Sequence, residues 1–394
     1  MRKLSLTVIG CYLSILAAFS QNTPDSSAYK KKKLSVEELN FVSGYYNQNG
    51  NHSAVTGGTG TEKLTDFANT IELKLFKYDR RLRKHTVSIE IGVDHYTSAS
   101  SDKIDPSTIS SPSYADTRFY PSVGWTMENE TKGTTIGLNA SLSKEYDYTS
   151  FGIGASYSKT SKDKNREFSA KAQAYFDNWT VILPIELRPR GSDEEGTSPR
   201  NSFSASLSYS QVISQNLQLA FVVEPTYQNG LLATRYQRVY FNTGKIAAET
   251  LPDNRKKLPL GLRANYFFGD RLILRSFYRY YMDDWGVKAH TIDLEAPLKI
   301  TPSFSISPFY RYYVQTAADY FSPYGSHQAA ELFFTSDYDL STFHSQFFGA
   351  GIRLVPTNGI FGFQHINSLE LRAGHYIRSE GLSANNLSLH VNFK

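Results

Sequence analysis

The sequence predicts an all-β chain, an antiparallel transmembrane β-barrel of about sixteen strands with short periplasmic turns and long extracellular loops. Three observations predict it: an N-terminal export signal, segments of strand length in which apolar and polar residues alternate, and connections that are alternately short and long.

The signal comes first. Arg2 and Lys3 form a positive start, Leu4 to Phe19 is an apolar run, and Ala18-Phe19-Ser20 places small residues where a signal peptidase reads. The run is too short for a stable span. Residues 1–20 are therefore read as a signal peptide, 21–34 as a flexible periplasmic lead-in containing Lys30 to Lys33, and 35–394 as a single barrel domain. The single cysteine, Cys11, lies inside the signal. Val8-Ile9-Gly10-Cys11 has the form of a lipoprotein cleavage box, but few apolar residues precede it and the apolar run continues past it. With the signal removed, no thiol remains to form a disulfide, ligate a metal or attack a substrate, which suits an oxidising compartment.

The alternation is clearest at the C-terminus. Leu387, Leu389, Val391 and Phe393 are apolar, while Ser388, His390, Asn392 and Lys394 are polar. That is strict period two. A closing strand with an aromatic near its end is what barrel assembly machinery recognises, so the strand ending at Phe393 is read as that contact. Val87, Ile89, Ile91 and Val93 alternate with Ser88, Glu90, Gly92 and Asp94 in the same way. No stretch after Ser20 carries the roughly 18 consecutive apolar residues of a spanning helix. The 27 Tyr and 25 Phe, against 3 Met and 3 Trp, suit strands and membrane interfaces. A net charge of +5 is modest, and no basic patch interleaves with aromatics, so nucleic acid is not a partner.

The connections give an orientation. Strands are read at 36–49, 67–80, 84–99, 115–129, 134–147, 149–161, 165–179, 201–213, 217–229, 257–268, 272–285, 287–299, 304–317, 344–355, 365–378 and 384–394. Every second connection is short, around Arg81, Glu130, Lys164, Gln215, Gly269, Thr301 and Asn358. The remaining set holds all the long ones, near 50–66, 100–114, 180–200, 230–256 and 318–343. With both termini in the periplasm, the long set faces outside. The expected location is the outer membrane of a Gram-negative envelope, with outer-membrane lipid around the wall.

Phe277-Tyr278-Arg279-Tyr280-Tyr281 recurs as Phe309-Tyr310-Arg311-Tyr312-Tyr313. Strand parity sends Tyr278, Tyr280, Tyr310 and Tyr312 to the lipid side, where with Trp285 they form an aromatic girdle. The same parity sends Arg263, Arg275, Arg279 and Arg311 to the lumen, with Asp293 and Glu295 on the strand between. Opposite charges on neighbouring strands can pair across the ladder. The cluster is read either as a structural ladder or as a patch for an anionic solute.

Other motifs carry less. The glycine-rich segment 52–63 lacks the Gly-Lys-Ser/Thr ending of a phosphate loop and precedes a strand, so it is read as an exterior loop. Residues 97–102 are read as a second small-residue exterior loop, and Asp283-Asp284-Trp285-Gly286 as a tight turn. The nine histidines show no metal-ligand spacing. No catalytic residue, metal or cofactor is assigned, and the chain is not read as an enzyme.

Several segments together carry a family resemblance: Glu37 to Val42, Ala54-Val55-Thr56-Gly57-Gly58, Asp94 to Ser100, Leu258 to Tyr266, Tyr278-Arg279-Tyr280-Tyr281 and Asp283 to Gly286. They resemble the uncharacterised family named domain of unknown function 3570, over nearly the whole mature chain. The resemblance carries over no catalytic or ligand residue. Such proteins are often encoded near a small lipoprotein and flavin-transferring or thioredoxin-like proteins, which implies a part in an envelope redox or export system. The functional expectation is a porin-like channel or transport-related pore with an arginine-lined lumen. The alternative is a closed barrel acting as scaffold or export partner for a periplasmic or surface protein.

Overall fold

A computed structural model of the chain describes residues 34–97, 115–189, 196–360 and 362–394. The signal, all of the lead-in except Leu34, and most of the loop read at 97–102 lie outside the described residues. Residues Ser35–Lys394 form one compact unit.

Strands make up the wall: β1 (Ser35–Asn49), β2 (Leu64–Tyr78), β3 (Lys84–Thr97), β4 (Ala115–Asn129), β5 (Thr134–Lys144), β6 (Tyr148–Thr160), β7 (Arg166–Thr180) and β8 (Thr197–Ser214). They continue as β9 (Leu217–Val223), β10 (Thr226–Gly230), β13 (Asn254–Phe268), β14 (Leu272–Asp283), β15 (Lys288–Glu295), β16 (Leu298–Thr301), β17 (Phe304–Gln315), β18 (Phe343–Leu354), β19 (Ile366–Arg378) and β20 (Ser383–Phe393). A small hairpin, β11 (Arg238–Tyr240) with β12 (Ile246–Ala248), stands apart from the wall.

Each wall strand pairs antiparallel with its sequence neighbour, and β1 pairs with β20 from Leu39↔Phe393 to Asn49↔Ser383. The sheet is therefore closed. Its 18 strands include two interrupted pairs. Leu207↔Val223 and Ser204↔Thr226 belong to one unbroken register, so β9 and β10 are one wall strand. Pro225 lies between them, and proline cannot donate to the ladder. Pro297 interrupts β15 and β16 in the same way, with Glu295↔Phe309 and Leu298↔Ile306 in one register. The segments read as continuous strands at 217–229 and 287–299 thus each carry a break. Among the described residues the barrel has 16 strands.

Alternation sets the two faces. Ile91 is 48 % exposed, Leu138 55 % and Phe221 51 %. Large apolar residues at such exposure along every strand require an apolar surround. Polar partners meet on the opposite face: Asn40 with Glu72, Asp94 with Tyr120, Ser150 with Asp177. No described helix is long and apolar enough to cross a membrane.

The turns at one rim are tight. Leu82 and Lys164 hold positive φ, as do Gly133 and Gly269. Connections at the other rim include the 50–63, 181–196, 231–253 and 316–342 segments. The described parts of these four fold together, and several of the most deeply buried side chains lie there: His327, Val239, Thr335, Ser53 and Ser336.

Close backbone approach limits the wall at one place. Gly349 of β18 faces Gly374 of β19, and a Cβ at Gly349 would lie 2.0 Å from the Ala373 carbonyl oxygen. Backbone cannot yield cheaply there. Gly349→Val is expected to prevent closure, read as loss of the compact, heat-modifiable band on electrophoresis. A normal band would show that the two strands can separate without cost.

Candidate functional site: the lumen and its plug

Register carries Arg263, Arg275, Asp293, Glu295, Arg311 and Arg372 of β13–β19 to the inner face. Arg275↔Glu295 and Asp293↔Arg311 are direct cross-strand neighbours. Arg275 Nη1 donates to Glu295 Oε2 at 3.1 Å, and Arg311 pairs with Asp293. Glu295 also accepts from Arg372 Nη1 of β19 at 2.9 Å. That contact reaches past β17 and β18. The glycines Gly349, Gly351 and Gly374 leave the room, filled by Phe309, Phe347 and the Arg372 stem. Arg372 also lies over the Phe309 ring at 5.0 Å.

These side chains line a recess of about 530 Å³ with Arg263, Arg275, Asp293, Glu295, Arg311 and Arg372 on its walls. Arg372 was not singled out from the sequence. Its signal was present, because Leu369, Leu371 and Ala373 alternate with Glu370 and Arg372. Arg263 sits over the Phe277 ring at 5.3 Å. Arg279 turns toward Glu224, with Nη2 3.4 Å from Oε2, and its buried Nε has no hydrogen-bond partner. Of the six charges grouped from the sequence, five line this recess and Arg279 stands apart.

The repeated tyrosines occupy the outer face. Tyr278 hydroxyl bonds His290 Nδ1 at 2.8 Å, and the Tyr280 ring lies 5.0 Å from that imidazole. Tyr310 donates to Gln346 Oε1 at 3.2 Å, and Tyr312 stands beside His344 with ring centroids 6.3 Å apart. Trp285 does not join them, and its assignment to the girdle is corrected. It is 3 % exposed, donates from Nε1 to the Asn254 carbonyl at 3.0 Å, and stacks under the Arg255 guanidinium at 4.3 Å. The tight turn explains this. Asp283 Oδ1 accepts from the Trp285 and Val287 amides, each at 3.0 Å, and Gly286 adopts φ +89°. That geometry folds the indole back over the rim instead of out to lipid.

The loops form a plug in the mouth. Arg238, buried on the hairpin, donates through Nε and Nη2 to both Glu186 oxygens at 2.5 and 3.0 Å, and through Nη1 to Val55 O at 2.9 Å. One side chain thus ties together segments 50–63, 181–189 and 231–253. His327 is fully buried, with Nε2 2.9 Å from Thr335 O and Nδ1 against Glu331. Its backbone carbonyl accepts from Asn242 N at 3.0 Å, and Phe241 packs edge-on against Phe334 at 5.0 Å. Glu249, 3 % exposed, accepts from Thr234 N at 2.6 Å and from Thr335 Oγ1.

Acidic groups gather where the plug meets the wall. Burial, with Asp337 nearby, pushes Glu249 up to about 8. Burial, with Asp339 and Asp337 beside it, pushes Glu62 up to about 7. Burial and Asp339 raise Asp337 to about 6. Desolvation penalises the charged carboxylate, and a like charge adds to the penalty. Asp339 is held by Arg378 Nη2 at 2.5 Å. Gln315 Nε2 donates to the Asp339 and Ser341 carbonyls at 3.0 and 2.6 Å, which fastens this turn to β17.

A second recess of about 560 Å³ runs between plug and wall, lined by Tyr46, Glu62, Asp337, Asp339, Tyr376 and Arg378. It shares Arg311, Phe347 and Asn386 with the arginine recess. A third recess of about 540 Å³ runs along the inner wall from Glu90 of β3, past Arg118, Tyr148, Asp177 and Arg200, to Thr226 and Gln228 of β10. Among the described residues no group of histidine, cysteine and carboxylate side chains is arranged to hold a metal ion.

Residues 86–361 match the model of a family described as "Protein of unknown function (DUF3570)". Among curated proteins none matches the sequence. Solved structures of similar architecture include Pseudomonas aeruginosa OccK9 (OpdG), at 10 % identity and TM-score 0.43, covering 92 % of this chain and 98 % of that one. A BenF-like porin from Pseudomonas fluorescens Pf-5 shares 9 % identity at TM-score 0.43, covering 90 % of this chain and 98 % of that one. A mutant of the ferric enterobactin receptor PfeA of Pseudomonas aeruginosa shares 11 % identity at TM-score 0.46, covering 86 % of this chain and 53 % of that one.

Proposed function

The chain belongs to the DUF3570 family, and we propose that it is an outer-membrane channel, closed at rest by its own loops and lined by arginines below them. The observation that carries this reading is the continuity of the two recesses at Arg311. A route beside the plug leads straight to the arginine cluster. A sixteen-stranded wall encloses an aqueous lumen unless something fills it, and here the filling is confined to loops anchored at one rim. Charged side chains at membrane depth cost free energy, so a cluster facing the lumen argues for use in passage.

The outward apolar face would contact outer-membrane lipid, with the tyrosine and histidine pairs at its interface. The N-terminal signal would direct export, and β20, ending at Phe393, would engage the barrel assembly machinery. The chemistry of passage needs no enzymatic step.

The test is conductance in a planar bilayer, using the full barrel and a form lacking residues 231–253. Asn229↔Asn254 are ladder partners, so a short linker can join the cut ends. The intact barrel is expected to pass small, intermittent currents and the shortened one large, steady currents. No current from either folded form would overturn the reading. The Arg238 fork favours a second role, a closed scaffold for a periplasmic or surface protein. A stoichiometric crosslinked partner, together with absent current, would select that role instead.

A further inference from the structure

A recess of about 1110 Å³ lies on the outer face of the wall, across β5 to β14. It is about twice the size of each recess inside the barrel. Two rows of outward side chains bound it. One row runs along the ladder through Leu138, Ala155, Ala172 and Ala205, and reaches Leu258 and Met282. The other runs through Ile153, Ala174, Phe203 and Tyr227 to Lys256. Exposed Leu138, Ile153, Phe203 and Tyr227 mark both rows as outward. The four alanines sink the floor between taller neighbours, so the surface is a trench and not a flat sheet.

The trench is oblique. It crosses β14 at Asp283, the last residue of that strand at the plug rim. It crosses β5 at Asn139, five residues short of the rim end Lys144. That is about 17 Å along the strand, or about 13 Å in depth at a tilt of about 40°. One leaflet of hydrocarbon is about 15 Å deep. The trench thus opens at the rim and descends through one leaflet.

The mouth is basic. Lys256 lines it, and Lys288 extends the first row as the ladder partner of Met282. Both are exposed. Asp284, at the strand end between them, accepts through Oδ1 from the Lys256 amide at 2.9 Å. Tyr227 adds a hydroxyl on the strand beside Lys256. Two cations and a phenol above an apolar bed complement a phosphate headgroup carrying acyl chains. A second copy of the chain fits worse, because an isologous contact sets trench against trench and leaves both unfilled.

We propose that the trench binds one lipid of the plug-side leaflet, with an acyl chain along the alanines and an anionic phosphate headgroup at Lys256 and Lys288. The proposal takes from the channel reading only that the wall sits in a membrane. Conductance of the lumen does not bear on it.

The experiment uses the folded barrel in maltoside detergent, with retained lipid read by native mass spectrometry. Dipalmitoyl phosphatidic acid, dipalmitoyl phosphatidylcholine and dihexanoyl phosphatidic acid are added in turn. The long-chain phosphatidic acid is expected to bind one to one, about tenfold tighter than either of the others. Ala172→Phe with Ala205→Phe raises the floor and should remove about tenfold of that affinity. Ala350→Phe, on the outer face of β18 beside exposed Phe348 and Ile352, should leave it unchanged. Lys256→Gln with Lys288→Gln should abolish the preference for phosphatidic acid over phosphatidylcholine, and the matching arginine pair should keep it. A heat-modifiable band shows that each variant folds; if the phenylalanine pair does not, the exposed lysine variants decide alone. Equal binding of the three lipids, or several equivalent copies per barrel, would mean ordinary lipid contact and overturn the proposal. Lipid-free pairs of barrels that the phenylalanines separate would overturn it in favour of self-association. Loss of the lipid preference with current intact would sink this site and leave the channel; selective lipid binding without current would do the reverse.

Discussion

Arg238→Ala is expected to unseat the plug while leaving the wall intact. The guanidinium reaches three separate loops, and its contacts are the fork on Glu186 and the bond to Val55 O. Alanine removes all of them and leaves the Val55 carbonyl without its donor. Breaking a buried pair costs about 3–5 kcal/mol, and the half-exposed Glu186 places this case near about 3 kcal/mol. That equals a change of more than a hundredfold in the docked-to-undocked ratio. The ladder of the barrel does not run through these contacts, so electrophoretic heat-modifiability should persist. Conductance should rise toward that of the form lacking 231–253, and protease should cut the loops. Glu186→Gln should do the same more weakly, since the amide oxygen still accepts one bond. A variant with unchanged conductance and unchanged protease resistance would show that the apolar packing of Phe241 on Phe334 holds the plug without the fork.

Alkaline pH is expected to loosen the same plug. Glu249, Glu62 and Asp337 sit at about 8, 7 and 6 when docked, all above their values in free chain. A carboxyl group whose docked value is raised binds its proton more tightly in the docked state. Its contribution is fully present below the free-chain value of about 4.5 and is lost as pH rises through the docked value. The plug should therefore be tightest below about pH 4.5 and progressively weaker from there to about pH 8. Conductance measured across that range should climb. Glu249→Gln keeps one carbonyl oxygen to accept from Thr234 N and can donate from its amide nitrogen to Thr335 Oγ1, but it cannot ionise, so it should flatten the upper part of the climb. Conductance that falls with rising pH, or a variant with the wild-type profile, would remove these carboxyls from plug control.

The wall was legible in the sequence because lipid imposes one requirement at every second residue. Leu387, Leu389, Val391 and Phe393 show it without interruption, and β20 spans Ser383–Phe393 as that pattern implies. The phase of short and long connections grouped the described long loops at one rim. The breaks at Pro225 and Pro297 escaped, because a proline in an unchanged register disturbs neither period nor parity. Parity also placed Arg263, Arg275 and Arg311 beside Asp293 and Glu295, yet Arg372 and Glu90 lay in equally readable strands and carried no repeated motif to draw notice. Trp285 misled because an aromatic at a strand end looks the same whether it faces lipid or folds back over a turn. The plug left no pattern at all. Arg238 meets Glu186 across 52 residues, and Glu249 meets Thr335 across 86, with no periodicity linking them.

The seam between β1 and β20 joins residues as distant as Glu38 and Asn392, 354 positions apart. Until the last strand arrives, β1 has one edge of unsatisfied amides and carbonyls, and hydrocarbon offers them no partner. A chain truncated anywhere before Ser383 can fold hairpins but cannot hide that edge. The ring is therefore its own proofreader: completeness of synthesis becomes a condition for leaving the aqueous phase, and prematurely ended chains stay where proteases can reach them.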